Sequence, residues 1–369
     1  MSADLERQRA LLAWFAEAQR TMPWRHPRPG PHPRPYAVLV SELMLQQTRV
    51  DAVIEPFARW MRRFPDFASL AAAPVDAAVE AWAGLGYYRR ARALHAAARR
   101  VVEEHGGVLP QDADALAALP GVGPYTVGAL RSIAFDRPAA LVDGNVARVL
   151  ARWHASEGDE ASLRKRAWRD AEAELAAEDA PARGAPSQWS QALMELGATV
   201  CKPGEPDCAG CPVHAGCRAA ALGVAATIPP PRKRAPVRDV FAAALVIVAQ
   251  RDGRPHVWLR KQPEHGRWAG LWQPPLFEAQ STEAALSAAQ AFAADAGLHL
   301  VARGEVEHVL THRRYRVSVL AATVELPPRS VDAEPTRWSP LAEIRGRGDG
   351  VSRLGVRVVD AATSSGSSS

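Results

Sequence analysis

The chain has 369 residues, enough for two or three domains, with a formal net charge of +5 and a pI of about 9.3. No basic apolar leader opens it, and no apolar run approaches the ~20 residues of a membrane span, so it reads as intracellular, cytoplasmic in a bacterium. The basic balance, mostly arginine, favours a polyanionic partner such as nucleic acid, although an arginine- and alanine-rich composition alone would produce it.

Residues 6–20 predict a helix, with Leu11, Leu12, Trp14 and Phe15 at helical spacing. Six prolines between Pro23 and Pro35 predict a surface loop. From Tyr36 to Ala220, apolar residues recur with a helical period and no strand alternation appears, which predicts helices joined by short turns. Within this stretch, residues 75–83 put Val79 and Trp82 on one face. Residues 89–105 set arginines around a stripe of Ala93, Leu94, Ala97 and Val101. A proline-rich linker with Arg232, Lys233 and Arg234 follows, from about 225 to 237. The pattern then changes. Residues 241–250, 256–260 and 314–326 predict strands and 282–294 a helix, hence a separate α+β domain. The small, polar stretch from Ala361 predicts a disordered tail.

All four cysteines fall in one proline-studded loop, Cys201-x6-Cys208-x2-Cys211-x5-Cys217. Four thiolates on a short loop can converge on one metal centre. Disulfides remain an alternative, but they suit small secreted scaffolds more than a chain able to bury proper cores. Structural zinc also uses thiolates. The unequal spacing is unlike two facing knuckles and favours an iron–sulfur cluster.

Leu119-Pro120-Gly121-Val122-Gly123-Pro124-Tyr125-Thr126 lies between two helical patterns. Its glycines permit a tight turn with outward N–H groups, and Pro124 suits a first helical turn. Such a helix-hairpin-helix turn can seat a phosphate of duplex DNA. The bland reading is an ordinary interhelix turn.

Two carboxylates occupy unusual places. Glu42 sits in the apolar run 38–45, read as a helix start, where an unpaired carboxyl should have the raised pKa of a general acid. A buried salt bridge is its bland alternative. Asp143 follows Leu141-Val142 and precedes a helix, so it can be an N-cap or an anion that steadies positive charge. A protonated acid with a fixed anion suits cleavage of an N-glycosidic bond. Gln47 and Thr48 follow Glu42 closely. Gly84-Leu85-Gly86-Tyr87-Tyr88 forms an aromatic corner able to wedge between bases, or simply to pack.

Taken with Pro23-Trp24-Arg25, residues 41–48 and Glu195-Leu196-Gly197-Ala198, these motifs resemble the MutY-type adenine DNA glycosylases of the helix-hairpin-helix, iron–sulfur superfamily. The resemblance runs from about residue 7 to 358. It implies an all-α glycosylase core, with residues 1–35 and 142–220 forming the cluster domain and 36–141 a six-helix domain. A linker at 221–237, a Nudix-like recognition domain at 238–358 and a tail at 359–369 would follow.

It further implies monofunctional excision of adenine opposite 8-oxoguanine, or guanine, from duplex DNA by a monomer. In that scheme Glu42 protonates adenine N7, Asp143 stabilises the sugar cation and Asn145 positions the reacting groups. Tyr125 stands in the pocket and helps to hold Asp143. Close relatives that cleave the strand carry lysine at that place. Trp24, Arg25, Leu45 and Glu195 line or support the adenine pocket. Gln47 and Tyr87, with neighbouring Thr48 and Leu85, attend the opposite base, and Gly121, Val122 and Gly123 meet the backbone. Cys201, Cys208, Cys211 and Cys217 hold a structural 4Fe–4S cluster.

Two departures stand out in the C-terminal part. Glu278, Glu283 and Asp295 do not make the paired glutamates of a working Nudix hydrolase, so metal-dependent pyrophosphate hydrolysis is not expected. Leu310-Thr311-His312 replaces the usual Phe-Ser/Thr-His loop of the lesion sensor, and Leu310 lacks the aromatic surface. The insert at 26–35 is also unusual for the family. Two other classes stay open: a mismatch glycosylase for thymine or uracil opposite guanine, and a non-catalytic lesion-binding protein.

Overall fold

The computed structural model describes residues 3–25, 34–231, 236–263, 266–310, 312–325, 335–346 and 350–364. Most of the proline insert, the Arg232–Arg234 cluster, Thr311 and residues 365–369 lie outside these. The chain packs as two compact units, one of residues 1–72 and 93–233 and one of 73–92 and 234–369. Residues 73–92 group with the C-terminal part.

The first unit is helical. It contains α1 (Ala3–Ala18), α2 (Pro35–Leu45), α3 (Asp51–Arg63) and α4 (Phe67–Ala72). α5 (Val75–Ala81) falls in the second unit, and α6 (Arg89–His105) crosses the boundary. The helical unit continues with α7 (Ala113–Ala117), α8 (Pro124–Ala129), α9 (Gly144–Trp153), α10 (Glu160–Ala173), α11 (Pro181–Gly184), α12 (Pro186–Thr199) and α13 (Arg218–Ala221). Among the described residues no helix is long and apolar enough to cross a membrane.

α2 is apolar on every side because it is buried on every side: Tyr36 through Met44 are all in the core. Pro35 starts it, since proline fits the first turn without losing a bonded N–H. Glu42 therefore lies near the end of this helix, not at its start as the apolar run suggested. α8 continues as a π-helical turn over Leu130–Ala134. Between α7 and α8, Gly121 has φ of +79°, and a Cβ there would come within 2.8 Å of the Ala93 Cβ. Both the turn and the close approach of α6 require glycine at that place.

The C-terminal part is a sheet covered by helices. Its strands are β1 (Arg238–Arg251), β2 (Arg254–Lys261), β3 (Trp272–Gln273), β4 (Leu276–Ala279), β5 (Val301–Leu310), β6 (Arg313–Thr323) and β7 (Thr336–Pro340). The main order is β3-β2-β1-β6-β5, with β4 paired to β1 and β7 to β2. β1 and β6 run parallel, from Arg238 opposite Arg313 to Val248 opposite Thr323. The β1–β2 hairpin turns at Asp252-Gly253, both at positive φ, a pair that suits a two-residue hairpin.

Alternate residues of β1 feed opposite cores. Ala242, Ala244 and Val246 pack with Ile344 of α15 (Leu341–Arg345) and Leu354, Val358 and Val359 of α16 (Arg353–Thr363). Ala243, Leu245 and Ile247 pack with Ala285 and Ala289 of α14 (Thr282–Asp295). Burial on both faces explains why β1 reads as one continuous apolar run.

The predicted strands and helix of this domain appear with slightly longer or shifted ends. The tail is a correction. Residues 359–363 are the last turns of α16, with Val359 and Ala362 buried and Ser352 capping the helix through its hydroxyl. Their small side chains are core-filling.

Candidate active site and cysteine pocket

Separate segments of the helical unit meet at one cleft of about 860 Å³. The chain after α1 brings Arg20, Met22, Trp24 and Arg25. α2 and the residues after it bring Glu42, Leu45, Gln47 and Thr48. The helix-hairpin-helix turn brings Gly121, Gly123 and Tyr125, the start of α9 brings Asp143 and Asn145, and α12 brings Gln191, Met194 and Glu195.

Glu42 is buried, and its Oε2 accepts a hydrogen bond from Tyr125 Oη at 2.7 Å. Burial pushes its pKa up to about 7, the Tyr125 bond opposes this, and the charge of Asp143 adds to it. The salt-bridge reading fails, because no cation among the described residues is in an ion pair with Glu42; Arg25 acts on it only at longer range. Burial, with the charges of Glu42 and Asp143, holds the Tyr125 phenol well above its ordinary pKa, so it stays a donor. The expected support of Asp143 by Tyr125 is thus not what forms: its hydroxyl bonds Glu42 and touches Met194 Sδ at 3.3 Å.

Asp143 has both of its anticipated roles open. Its Oδ1 caps α9 by accepting from the Val146 N–H at 2.7 Å, while Oδ2 accepts from Asn145 Nδ2 at 3.1 Å. Asn145 is held in turn by Arg148, whose Nη2 donates to Asn145 Oδ1 at 2.9 Å and to the Gly197 carbonyl at 2.8 Å. Arg148 Nε also donates to the Cys201 carbonyl at 2.8 Å.

Glu195 is completely buried and receives Arg20 Nε at 2.5 Å and Arg25 Nη2 at 2.8 Å. Burial alone would raise its pKa, but the two guanidinium groups outweigh it and hold the carboxyl below its usual range. These two carboxyls of the cleft are thus shifted in opposite directions, Glu195 down by its guanidinium partners and Glu42 up, to about 7, by burial.

The HhH-GPD superfamily of base excision DNA repair proteins matches residues 40–172, and a NUDIX domain matches 243–348. Adenine DNA glycosylases of Mus musculus and Homo sapiens are each 36% identical to the chain, over 89% of it and over 72% and 69% of their own lengths. The chain belongs to the adenine DNA glycosylase family. A solved structure of a thermostable thymine-DNA glycosylase, 26% identical, matches with a TM-score of 0.51 over 60% of this chain and 100% of that one. Family membership covers both units, since the aligned stretch spans most of the chain.

Not every anticipated residue of this family member reaches the cleft. Val122 is buried beneath the turn. Leu85 and Tyr87 belong to the second unit, where the corner is rigidly built. Gly84, Gly86 and Tyr87 have positive φ, Trp82 Nε1 donates to the Gly86 carbonyl, and the Arg90 guanidinium lies 5.5 Å from the Tyr87 ring. Tyr87 remains exposed. A left-handed conformation is uncommon for a non-glycine residue, so the corner's backbone is specifically shaped at Tyr87. Leu310 ends β5, half-buried against the sheet core, and His312 is exposed. Thr311 lies outside the described residues. Glu278 is engaged by Arg267 at 2.6 Å and Tyr315 at 3.1 Å.

The four cysteines are free of disulfides and line one small pocket with Arg152, Trp153, Leu196 and His214. Among the described residues no group of three or more His, Cys, Asp and Glu is arranged to hold a single metal ion. The pocket's charge fits an anionic group. Arg152 is 1% exposed and forms no ion pair with a carboxylate among the described residues, while its Nη1 donates to Cys201 Sγ at 3.2 Å. A buried cation needs an anion beside it, and a cysteine ionised by a bound metal group would supply one.

Arg20, Arg148 and Arg152 were missed from sequence. The last two stand one turn apart on the buried face of α9, and that placement was the available signal.

Proposed function

We propose that this protein is a monofunctional glycosylase that removes adenine mispaired with 8-oxoguanine, and more weakly with guanine, from duplex DNA in base excision repair. The observation that carries the reading is Glu42: a buried carboxyl, raised to about 7, bonded to Tyr125 and sharing a cleft with Asp143. Near neutral pH it holds a proton and can give it to the leaving base. As the N-glycosidic bond breaks, its electron pair leaves with adenine, and the Glu42 proton goes to N7. Asp143, oriented by Asn145 and the Val146 N–H, faces the sugar cation. Water adds to the sugar carbon and gives up a proton to the Glu42 carboxylate, which leaves an abasic site and restores the acid. Tyr125 cannot form the Schiff base that a lysine would, so strand cleavage is not part of the reaction.

A duplex cannot deliver adenine to this cleft without flipping it, and the remaining residues take parts in that event. Trp24, Arg25, Leu45 and Glu195 line or support the base pocket. The turn at Gly121–Gly123 meets a backbone phosphate, while Gln47, Thr48, Leu85 and Tyr87 attend the gap and the opposite base. Leu310 and His312, with Thr311, meet the modified base. Cys201, Cys208, Cys211 and Cys217 hold a 4Fe–4S cluster which, when bound, cross-links the loop and adds a redox centre outside the reaction. With such a substrate the enzyme works as a monomer on chromosomal DNA, in a bacterium within the cytoplasm.

The test is single-turnover base release from duplexes with adenine opposite 8-oxoguanine, guanine or thymine. Fast adenine release opposite 8-oxoguanine, slower opposite guanine, is expected. Release of thymine or uracil opposite guanine in place of adenine would overturn the reading, and binding without release would favour a non-catalytic lesion binder.

A further inference from the structure

We infer that Arg152 sets the reduction potential of the cluster held by the four cysteines and secures its retention, through an N–H···S hydrogen bond to Cys201; this rests on the cofactor reading above. The guanidinium is held as a rigid fork. Nε donates to the Ile228 carbonyl at 2.7 Å, Nη1 to the Lys202 carbonyl at 2.8 Å and Nη2 to the Gly204 carbonyl at 3.4 Å. Those carbonyls fix its plane, so the remaining reach of Nη1 towards Cys201 Sγ has a set direction.

Carbonyl dipoles solvate the cation without neutralising it. Among the described residues, Cys201 Sγ is the one partner of the Arg152 guanidinium that can carry a full negative charge. Arg148, one turn earlier on α9, reaches only the carbonyl of Cys201. Cys201 is also the buried member of the four, the other three being half-buried. The most enclosed thiolate thus receives the one charged donor, where screening by water is least.

A cation and a hydrogen bond at a ligand sulfur withdraw electron density and favour the more negative member of a redox couple. One electron enters or leaves the cluster at an electrode, with no bond made or broken in the protein. Arg152 therefore raises the potential. Its fork also spans the loop (Lys202, Gly204) and the start of the linker (Ile228), closing the pocket wall from two sides.

The experiment uses the full-length, cluster-loaded protein and its Arg152→Gln and Arg152→Lys variants. Iron content, visible absorbance, iron release to a chelator and potential by voltammetry are measured without DNA. Expected are a shift to more negative potential, larger in Gln than in Lys, and iron release faster by roughly 10–100-fold, the usual effect of removing a ligand's supporting partner. Lysine keeps the charge and loses the fork, so it remains informative where Arg152→Gln does not fold. An Arg152→Lys protein with wild-type potential and wild-type iron release overturns the inference. Wild-type protein that takes up no iron overturns the cofactor reading and this inference with it.

Discussion

The two ends of α9 serve pockets of opposite electrical design. At its start, Asp143 caps the helix beside a cleft in which Glu42 is buried with no paired cation among the described residues. Near its end, Arg152 is buried beside sulfur with no paired carboxylate among the described residues. An uncompensated carboxyl can escape its penalty by taking a proton. A guanidinium cannot escape by losing one, so it demands a lasting anion. The first design suits a charge that comes and goes during a reaction, the second a charge that stays. Arg148 joins them, holding Asn145 with one nitrogen and the Cys201 carbonyl with another.

The strongest way to break this contrast is Glu42→Gln. It should lower single-turnover adenine release by about 10²–10⁴-fold, the usual worth of a positioned general acid, while duplex binding persists. A variant with near-wild-type release would remove Glu42 from the chemistry. The same residue makes a claim about stability that needs no substrate. Its folded pKa stands at about 7 against 4.5 unfolded. A raised pKa means the folded state holds the proton more tightly. The contribution is fully present below pH 4.5 and is lost as pH rises through about 7. Measured against Glu42→Gln, which does not titrate, wild type should lose about 3 kcal/mol of stability between acid and mildly alkaline conditions. Denaturant midpoints at the two extremes check this, and an unchanged difference between the two proteins would mean that Glu42 is not desolvated. Base release should fall over the same rise in pH, because the acid form does the work.

What could be read from the residues, and what could not, follows the range of the forces involved. Glu42 was legible because a carboxylate within an apolar run is locally anomalous, and the cysteines because they crowd one loop. The partner of Tyr125 was not legible. Tyr125 and Glu42 lie far apart in the chain, and only packing decides that the hydroxyl meets Glu42 instead of Asp143. β5 escaped notice because it is an edge strand with only Val306 and His308 buried between exposed Glu305, Glu307 and Val309, and a polar residue on the buried face with an apolar one on the exposed face blurs the alternation. Residues 359–363 misled in the opposite direction. Alanine and valine near a serine-rich end resemble a tail, yet at helical spacing they fill a core.

A smaller effect probes how firmly the start of α9 is held. A Cβ on Gly197 of α12 would stand 2.7 Å from the Asn145 Cβ and 3.2 Å from its backbone. Gly197→Ala should cost about 1–3 kcal/mol by overpacking and slow base release by displacing the Asn145–Asp143 pair. Thermal melting together with single-turnover rates separates these parts. A destabilised variant with an undisturbed rate would show that Asp143 does not depend on this crossing. The smallest expected change comes from Tyr125→Phe, which deletes one oxygen. The Tyr125 bond is the main influence lowering the Glu42 pKa against its burial. Without that bond the pKa should climb, and the alkaline limb of the pH–rate profile should move to higher pH. The plateau rate at low pH should fall only modestly, since the proton donor itself is intact. A limb that moves to lower pH would reverse the role given to Tyr125: the phenol would then be supporting the protonated acid, and the cleft would tune its proton through Asp143 instead.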